Sequence, residues 1–243
     1  MKNNKNHSEV FSELYESNFW GGKNSPDSGT GSTETAALPY VEIVKNFIET
    51  HSIESVLDIG HGDWGMWGNY KFDNVQYVGI DVYETLSKKL NLKLGNKSRS
   101  YIHLNAVSDF LPSADLCITK DVLQHLPIED IKILLRKLCS FKYLVICNDI
   151  YKFDLKDSIK AIRRFISIRE RVEILRRNQN PFFLKLKRTN CEIDTGGHRC
   201  INLNSRPFKT IMHNHKLLHT VDFVGKDTKR PNIVKRIYIY EKL

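Results

Sequence analysis

Apolar residues recur along the chain in two patterns, helical spacing near the N-terminus and short runs at regular intervals afterwards. The spacing of Val10, Phe11, Leu14 and Tyr15 predicts a helix from Ser8 to Glu16, and a second stripe predicts a helix from about Thr35 to Thr50. Short apolar runs then predict five strands, at 55–59, 75–82, 101–105, 114–120 and 143–148, with a helix at 128–139 before the last. Two further runs, 219–224 and 233–240, predict a terminal antiparallel pair, the second of them alternating through Val234, Ile237 and Ile239.

Repeated strand and helix units joined by short connections predict parallel pairing with right-handed crossovers. We therefore expect the α/β class, as a Rossmann-like, doubly wound, mostly parallel seven-stranded sheet with an antiparallel closing strand. With 243 residues, 41% of them hydrophobic, the chain can bury one such core as a single domain. Its predicted parts are an N-terminal helix with a glycine-rich lid (1–34), a core (35–150), a basic helical insertion (151–190) and a segment with a loop and the closing strands (191–243).

Positive charge is concentrated in that insertion. Residues 150–190 contain 12 lysines or arginines and four acids, a net +8 out of +9 for the whole chain. The excess is compatible with a solvated helical face, with a positive rim for a phosphorylated or nucleotide-linked substrate, or with a nucleic-acid surface. Because no RNA-binding signature accompanies it, nucleic acid is the least favoured of the three.

The cysteines and the N-terminus restrict the class of protein further. Five cysteines without a CxxC pair argue against a structural zinc site and a disulfide framework. Neither an apolar leader nor a run of about 18 apolar residues is present, so we expect a cytoplasmic protein without a membrane span. The oligomeric state stays open, a homodimer included.

The stretch SVLDIGHGD, at residues 55–63, predicts a buried strand that enters a tight, ligand-binding turn. Gly60, Gly62 and Gly65 satisfy GxGxxG, which makes a dinucleotide site one alternative. Asp58 argues against it, because a carboxylate there would repel a diphosphate and attract an ammonium or sulfonium group. The short aromatic connection after Gly62 also lacks the usual phosphate-binding helix. Both features favour a cationic cofactor without phosphate.

DIGHGD, the later GID and DLCITKDVLQHLP together resemble the class I S-adenosylmethionine-dependent methyltransferases over roughly residues 35–150. The resemblance implies S-adenosylmethionine as cofactor and S-adenosylhomocysteine as product. It puts Asp58 near the methionine amino group, Gly60 to Gly62 along the cofactor, Asp81 on the ribose hydroxyls and Asn105 near the adenine. The complete implied cofactor set is Gly31, Ser32, Asp58, Gly60, His61, Gly62, Asp63, Trp64, Asp81, Val82, Asn105, Ala106, Lys120, Asp121 and Val122.

A narrower resemblance concerns the acceptor. FWGG, SGTGST, DIGHGDW, KDVLQHL and TGGHRCINL are similar to bacterial methyltransferases encoded among surface-polysaccharide genes. This implies O-methylation of a sugar hydroxyl, on a nucleotide-linked or capsular polysaccharide sugar such as a heptose. His61 and His198 depart from that pattern. The alternatives are an RNA or small-molecule methyltransferase, an NAD-dependent oxidoreductase that uses GxGxxG, and a noncatalytic S-adenosylmethionine-binding module.

Methyl transfer to a hydroxyl requires a base, and three residues near predicted strand ends are candidates: His125, Asp149 and His198. Carboxyl ends of parallel strands converge on one crevice, which favours these three over the other histidines. Trp20, Arg199 and Arg206 are candidate substrate-binding residues, the arginines as paired donors to a phosphate. We predict no metal site, with a divalent ion on Asp149 and Asp194 as the alternative.

Overall fold

A seven-stranded sheet runs through the computed structural model, which describes residues 6–21, 27–72, 74–152, 189–224 and 233–243. The strands are β1 (Ser55–Ile59), β2 (Gln76–Asp81), β3 (Arg99–His103), β4 (Leu116–Lys120), β5 (Tyr143–Tyr151), β6 (His215–Phe223) and β7 (Ile233–Lys242). The α-helices are α1 (His7–Glu16), α2 (Glu34–Thr50), α3 (Glu84–Leu94) and α4 (Ile128–Leu138).

The strand order is β3-β2-β1-β4-β5-β7-β6, and only β7 runs against its neighbours. The chain leaves β1 toward β2 on one side and later returns to β4 on the other, so a topological switch point lies between β1 and β4. The predicted α/β class, the seven strands and the antiparallel closing strand are confirmed. The predicted basic helices lie outside the described residues, as do residues 22–26 of the predicted lid.

Two apolar layers cover the sheet. On one face, α2 and α3 pack with an aromatic cluster that follows β1, which includes Trp64, Trp67, Phe72 and Tyr77. On the other face, α4 packs with the chain around Ile201 to Met212. Helix α4 has acids in its first turn and bases in its last, an arrangement that the helix dipole favours.

The structure corrects two predictions about individual elements. β7 does not alternate between core and solvent; Ile237 and Ile239 pack on one face while Tyr238 and Tyr240 pack on the other, because an apolar layer covers each face of the sheet at this strand. Helix α3 was not predicted. It buries only Leu86, Ser87 and Leu90, so its apolar stripe is too short to stand out in the sequence.

No helix in the described part of the chain is long and apolar enough to cross a membrane. All five cysteines are free thiols.

The packing of α4 can be tested with two neighbouring residues. Leu135 is fully buried and Ile133 is 39% exposed. We expect Leu135→Ala to lower the free energy of unfolding by about 2–5 kcal/mol, because it leaves a cavity. Ile133→Ala, the control on the same helix, should change it by less than ~1 kcal/mol. Urea denaturation measures both, and equal losses would show that α4 does not pack as described.

Candidate functional site

A cavity of about 570 Å³ opens at the carboxyl-end edge of the sheet, beside the switch point. This volume is within the range of small-molecule sites, about 300–1,000 Å³. The turns after β1, β2, β3 and β4 line it, together with α1, the segment 28–32, the loop 196–198 and one residue of β7. Strand ends that lie more than 100 residues apart in the sequence therefore meet around one cavity.

The glycine turn after β1 forms the base of this cavity. Gly60 has φ 74° and Gly62 has φ 57°, backbone conformations that side chains disfavour. A Cβ on Gly60 would lie 2.3 Å from Cγ2 of Val122, and one on Gly62 would lie 2.5 Å from Oγ of Ser28. These two glycines make room for the protein's own side chains, and both also line the cavity, where their place along a cofactor stays a prediction.

Asp81, at the end of β2, presents a carboxylate to the cavity. Its Oδ1 accepts the backbone N–H of Tyr83 at 3.0 Å, and its Oδ2 accepts that of Gly62 at 3.3 Å. The residue lines the cavity and is 7% exposed. Two backbone donors thus fix the carboxylate, and its remaining lone pairs can accept hydroxyl groups from a ligand.

Asp58 lies elsewhere, and its predicted place beside the ligand needs correction. Its Oδ2 accepts Tyr77 Oη at 2.7 Å and Trp67 Nε1 at 3.3 Å, within the layer under α2. Complete burial raises its pKa to about 6, against the lowering effect of the Tyr77 hydrogen bond. Asp58 does not line the cavity; its position in β1 directs it to the opposite side from Leu57 and Ile59.

Trp64 also departs from its predicted role as a cofactor-binding residue. It is 7% exposed and packs against Tyr77 and Tyr101 at centroid distances of 5.2 and 5.5 Å. The guanidinium of Arg99 lies over its ring. Trp64 therefore belongs to the apolar layer, and Met66 from the same turn lines the cavity instead.

Helix α1 and the segment 27–32 close the cavity from above. Tyr15 stacks on Tyr83 with ring centroids 4.9 Å apart. Oγ of Ser28 accepts the N–H of Asp63 at 2.8 Å, while the N–H of Ser28 donates to the Asp63 carboxylate at 3.1 Å. The described part of the predicted lid, with Gly31 and Ser32, thus lines the cavity and is tied to the glycine turn.

The turn after β3 supplies a second rim. The amide of Asn105 accepts the N–H of Val107 at 3.0 Å and donates to Nδ1 of His7 at 3.1 Å, and His7 in turn pairs with Asp130. Nζ of Lys137 holds the same turn through the carbonyl oxygens of residues 106, 107 and 109. The polar atoms of Asn105 are thereby engaged within the protein.

A chain of ion pairs crosses the ends of β4, β5 and β7. Nζ of Lys120 lies 2.5 Å from Oδ2 of Asp121, and Nζ of Lys235 lies 2.5 Å from Oδ1 of the same residue. Lys235 also lies 2.7 Å from Oδ1 of Asp149, whose Oδ2 pairs with Nε2 of His198 at 2.9 Å. We call these five residues the ion chain. Every charged group in it has an opposite partner, as burial requires.

The charges in the ion chain set its ionisation. Burial by itself would raise the pKa of Asp121, but the two lysines lower it well below its ordinary value. Burial would likewise raise the pKa of Asp149, but the hydrogen bond with His198 and the charge of Lys235 lower it overall. Both side chains are therefore carboxylates at neutral pH, and Lys235 is an ammonium.

His125 and His198 face each other across this edge, with ring centroids 5.6 Å apart. Nδ1 of His125 donates to the carbonyl of Gly197 at 2.7 Å, so Nε2 carries the lone pair. Burial lowers the pKa of His125 to about 4, and the ring is neutral at pH 7. His198 is 31% exposed at its side chain and donates Nε2–H to Asp149, which leaves Nδ1 to accept.

The three predicted substrate-binding residues lie in three different environments. Trp20 lines the cavity, with its ring centroid 5.4 Å from that of His125. Arg199 is 2% exposed and donates to the carbonyl of Leu126 at 2.6 Å, so it is buried beneath the loop. Arg206 is exposed, and neither arginine lines the cavity. The predicted role of Arg199 as a paired donor to a phosphate is therefore corrected, because its side chain is buried, while that of Arg206 stays a prediction.

Most of the predicted site residues come together. The cavity is lined by Gly31, Ser32, Gly60, His61, Gly62, Asp63, Asp81, Val82, Asn105, Ala106, Lys120, Asp121, Val122, His125, His198 and Trp20. Asp149 lies directly behind His198. Sequence reasoning missed Lys235 and the α1 residues Phe11 and Tyr15. The available signal for Lys235 was a basic pair, Lys235 and Arg236, near the start of a largely apolar strand.

Within the described ranges, no three His, Cys, Asp or Glu side chains come together as a metal site. Both oxygens of Asp149 are engaged by Lys235 and His198, and Asp194 lies in the exposed part of the loop.

Comparisons with known proteins identify the fold. No family model and no curated protein matches the chain. Magnesium protoporphyrin IX methyltransferase from Synechocystis PCC 6803 with bound SAM gives a TM-score of 0.58 at 11% identity, with 100% of both chains covered. N-methyltransferase NodS from Bradyrhizobium japonicum WM9 gives 0.57 at 10%, over 94% of this chain and 98% of that one. The [4+2]-cyclase SpnF gives 0.53 at 10%, over 83% and 80%. The chain shares their Rossmann-like fold.

The contact between Gly60 and Val122 can be tested by a double-mutant cycle. We expect Gly60→Ala to lower the free energy of unfolding by about 2–3 kcal/mol, because its φ is positive and its Cβ would collide with Cγ2 of Val122. In the Val122→Ala background the collision disappears, so the same change should cost less there. Denaturant unfolding of the four proteins gives the coupling free energy, and strict additivity would contradict the contact.

Proposed function

We propose that the protein is an S-adenosylmethionine-dependent methyltransferase whose acceptor is a hydroxyl group, with His198 as the general base. One observation carries the proposal. A single cavity at the switch point has the Asp81 carboxylate on one side and a histidine oriented by a buried carboxylate on the other. The first suits a ribose diol, and the second suits an acceptor that must lose a proton.

The residues present fit the proposed cofactor. Asp81 is fixed by two backbone N–H groups and is available to hydroxyl donors, as a ribose requires. Asp63, Asp81 and Asp121 give the lining three carboxylates against the two lysines Lys120 and Lys235. Both lysines are paired with Asp121, so the described lining has no free cation to attract a diphosphate. This balance favours a cofactor with ammonium and sulfonium groups over a dinucleotide.

When bound, S-adenosylmethionine supplies a methyl group on a positively charged sulfur, which is ready for displacement by an oxygen. The residues of this chain hold and deprotonate the acceptor. Asp149 accepts the Nε2–H of His198, so that Nδ1 takes the hydroxyl proton and the imidazolium is stabilised by the same carboxylate. Asp149 orients the base, and His125, neutral at pH 7, is the second candidate.

A sugar hydroxyl is the acceptor that we favour. Trp20 lies beside His125, which in turn faces His198, and it offers a flat apolar surface on which a sugar ring can pack next to polar groups. The paired lysines argue that the reacting end of the acceptor is uncharged, so any phosphate of a nucleotide-linked sugar would lie outside the described lining. The resemblance to enzymes encoded among surface-polysaccharide genes supports the same class.

The fold by itself leaves the reaction open, because two of the compared structures are named methyltransferases and one a cyclase. An oxidoreductase that uses GxGxxG is disfavoured, since no α-helix follows Gly62; a single 3₁₀ turn, Gly65–Trp67, leads toward β2. A noncatalytic binding module would not need the Asp149–His198 pair.

Binding of the cofactor is tested by calorimetry with S-adenosylhomocysteine and, separately, NAD⁺. We expect S-adenosylhomocysteine to bind and NAD⁺ not to bind. Asp81→Asn should weaken S-adenosylhomocysteine binding by about 10–100-fold, because a charged acceptor of hydroxyl donors is lost. Glu84→Gln, three residues on and exposed, is the matched acid-to-amide control and should leave the affinity unchanged. Binding of NAD⁺ alone would refute the proposed cofactor.

The base is tested by methyl transfer to a panel of nucleotide-linked and free sugars, followed by mass spectrometry. With any sugar that is methylated, His198→Gln should lower kcat about 10²–10⁴-fold while the affinity for S-adenosylhomocysteine stays the same. His213→Gln, a histidine exposed outside the cavity, is the control. Full activity of His198→Gln together with loss in His125→Gln would transfer the role to His125.

A further inference from the structure

Lys235 is the one residue of β7 that reaches the cavity. β7 runs antiparallel to β5, so its first residues lie at the edge where the parallel strands end, and Lys235 is paired in register with Asp149. Its residue exposure is 7%. Lysine is among the residues least often buried this completely unless its charge is paired.

The ammonium of Lys235 joins two carboxylates that would otherwise repel each other. Nζ lies 2.5 Å from Oδ1 of Asp121 and 2.7 Å from Oδ1 of Asp149. Asp121 has a second cation in Lys120, while Asp149 has only Lys235 and the hydrogen bond from His198 among the described residues. Lys235 is therefore the cation that, together with the hydrogen bond from His198, keeps the pKa of Asp149 low.

The tautomer of His198 depends in turn on that ionisation. A carboxylate can only accept, so it requires Nε2 of His198 to carry the proton. A protonated Asp149 could donate to Nε2 instead and place the proton on Nδ1, the atom that must accept from a hydroxyl. The ionisation of Asp149 therefore decides which nitrogen of His198 carries the proton.

We propose that Lys235 is a positioning residue for the proposed methyl transfer: its ammonium keeps Asp149 a carboxylate, which holds His198 with Nε2–H donated and Nδ1 free to accept. The inference rests on the proposed function for its purpose, but its physical content can be measured without an acceptor. It gives β7 a direct part in the chemistry of the site.

The groups that face Lys235 fix the sign of the expected effects. They are Lys120 and Asp121 after β4, Cys147 and Asp149 in β5, and the rings of His125 and His198 from the loops. The Asp149–His198 pair takes up one proton as pH falls. Removing a nearby positive charge makes that uptake easier, and removing a nearby negative charge makes it harder, whichever of the two residues takes the proton.

The experiment is an NMR titration of the full chain labelled with ¹⁵N-histidine, with the His198 signals assigned from the spectrum of His198→Gln. In the wild-type protein we expect Nε2 to carry the proton at neutral pH. Lys235→Met should raise the titration midpoint of His198 by about one pH unit, and Lys235→Arg should keep it near the wild-type value. Lys242→Met, an exposed lysine at the other end of β7, is the matched control and should not shift it.

Asp121→Asn provides the opposite test and preserves the shape of the side chain. Asparagine tolerates the left-handed conformation that Asp121 adopts, φ 62°, so the backbone at this position is preserved, and circular dichroism of both variants checks that each is folded. It should lower the midpoint of His198, because a negative charge next to Lys235 is lost. A purely structural role would not produce shifts of opposite sign. An unchanged midpoint in folded Lys235→Met, or in Asp121→Asn, overturns the proposal.

The two proposals fail in different measurements. Absence of S-adenosylhomocysteine binding to the wild-type protein would refute the methyl donor and leave the titration result standing. Normal binding together with an unchanged His198 midpoint would refute the role of Lys235 and leave the donor.

Discussion

The ion chain from Lys120 to His198 is the interaction on which the site depends, because it joins side chains at the ends of three strands to the loop that carries His198 and to the segment above the cavity. It links the ends of β4, β5 and β7 to the loop that carries His198, and Nζ of Lys120 also donates to the carbonyl of Gly31 in the segment above the cavity. Removing one partner from a buried ion pair costs about 3–5 kcal/mol, since the other charge stays buried. The arrangement is therefore stable only when all its members are present.

The same chain explains a strained residue and an unusual strand. Asp121 has a positive φ although it is not glycine, a conformation that costs on the order of 1 kcal/mol and is retained where surrounding contacts enforce it. Two lysines provide those contacts. β7 is the only reversed strand, and its reversal is what brings Lys235 to the carboxyl-end edge. The reversal of β7 thus supplies a cation to the edge at which the parallel strands end.

Asp58 and Asp81 show that the role of an acidic residue depends on where in its strand the residue lies and on the face to which its side chain points. Both are mostly buried acids in neighbouring strands, but Asp58 is held by Tyr77 and Trp67 inside the apolar layer, where burial raises its pKa. Asp81 ends its strand at the cavity. The carboxylates that disfavour a diphosphate in the cavity are those of Asp63, Asp81 and Asp121, and not that of Asp58.

The sequence by itself determined the order of the strands, the helices except α3, the class of fold and the glycine turn, because periodicity and glycine conformation act over a few neighbouring residues. Together with the family resemblance, it also predicted most of the residues around the cavity, several of them from the rule that carboxyl ends of parallel strands meet at one edge. Only the tertiary structure decided that Asp58, Trp64 and Arg199 face the interior, that Asp149 supports His198, and that Lys235 joins them. Those outcomes depend on the side to which a residue points and on pairing between distant segments, and neither is recorded in local sequence.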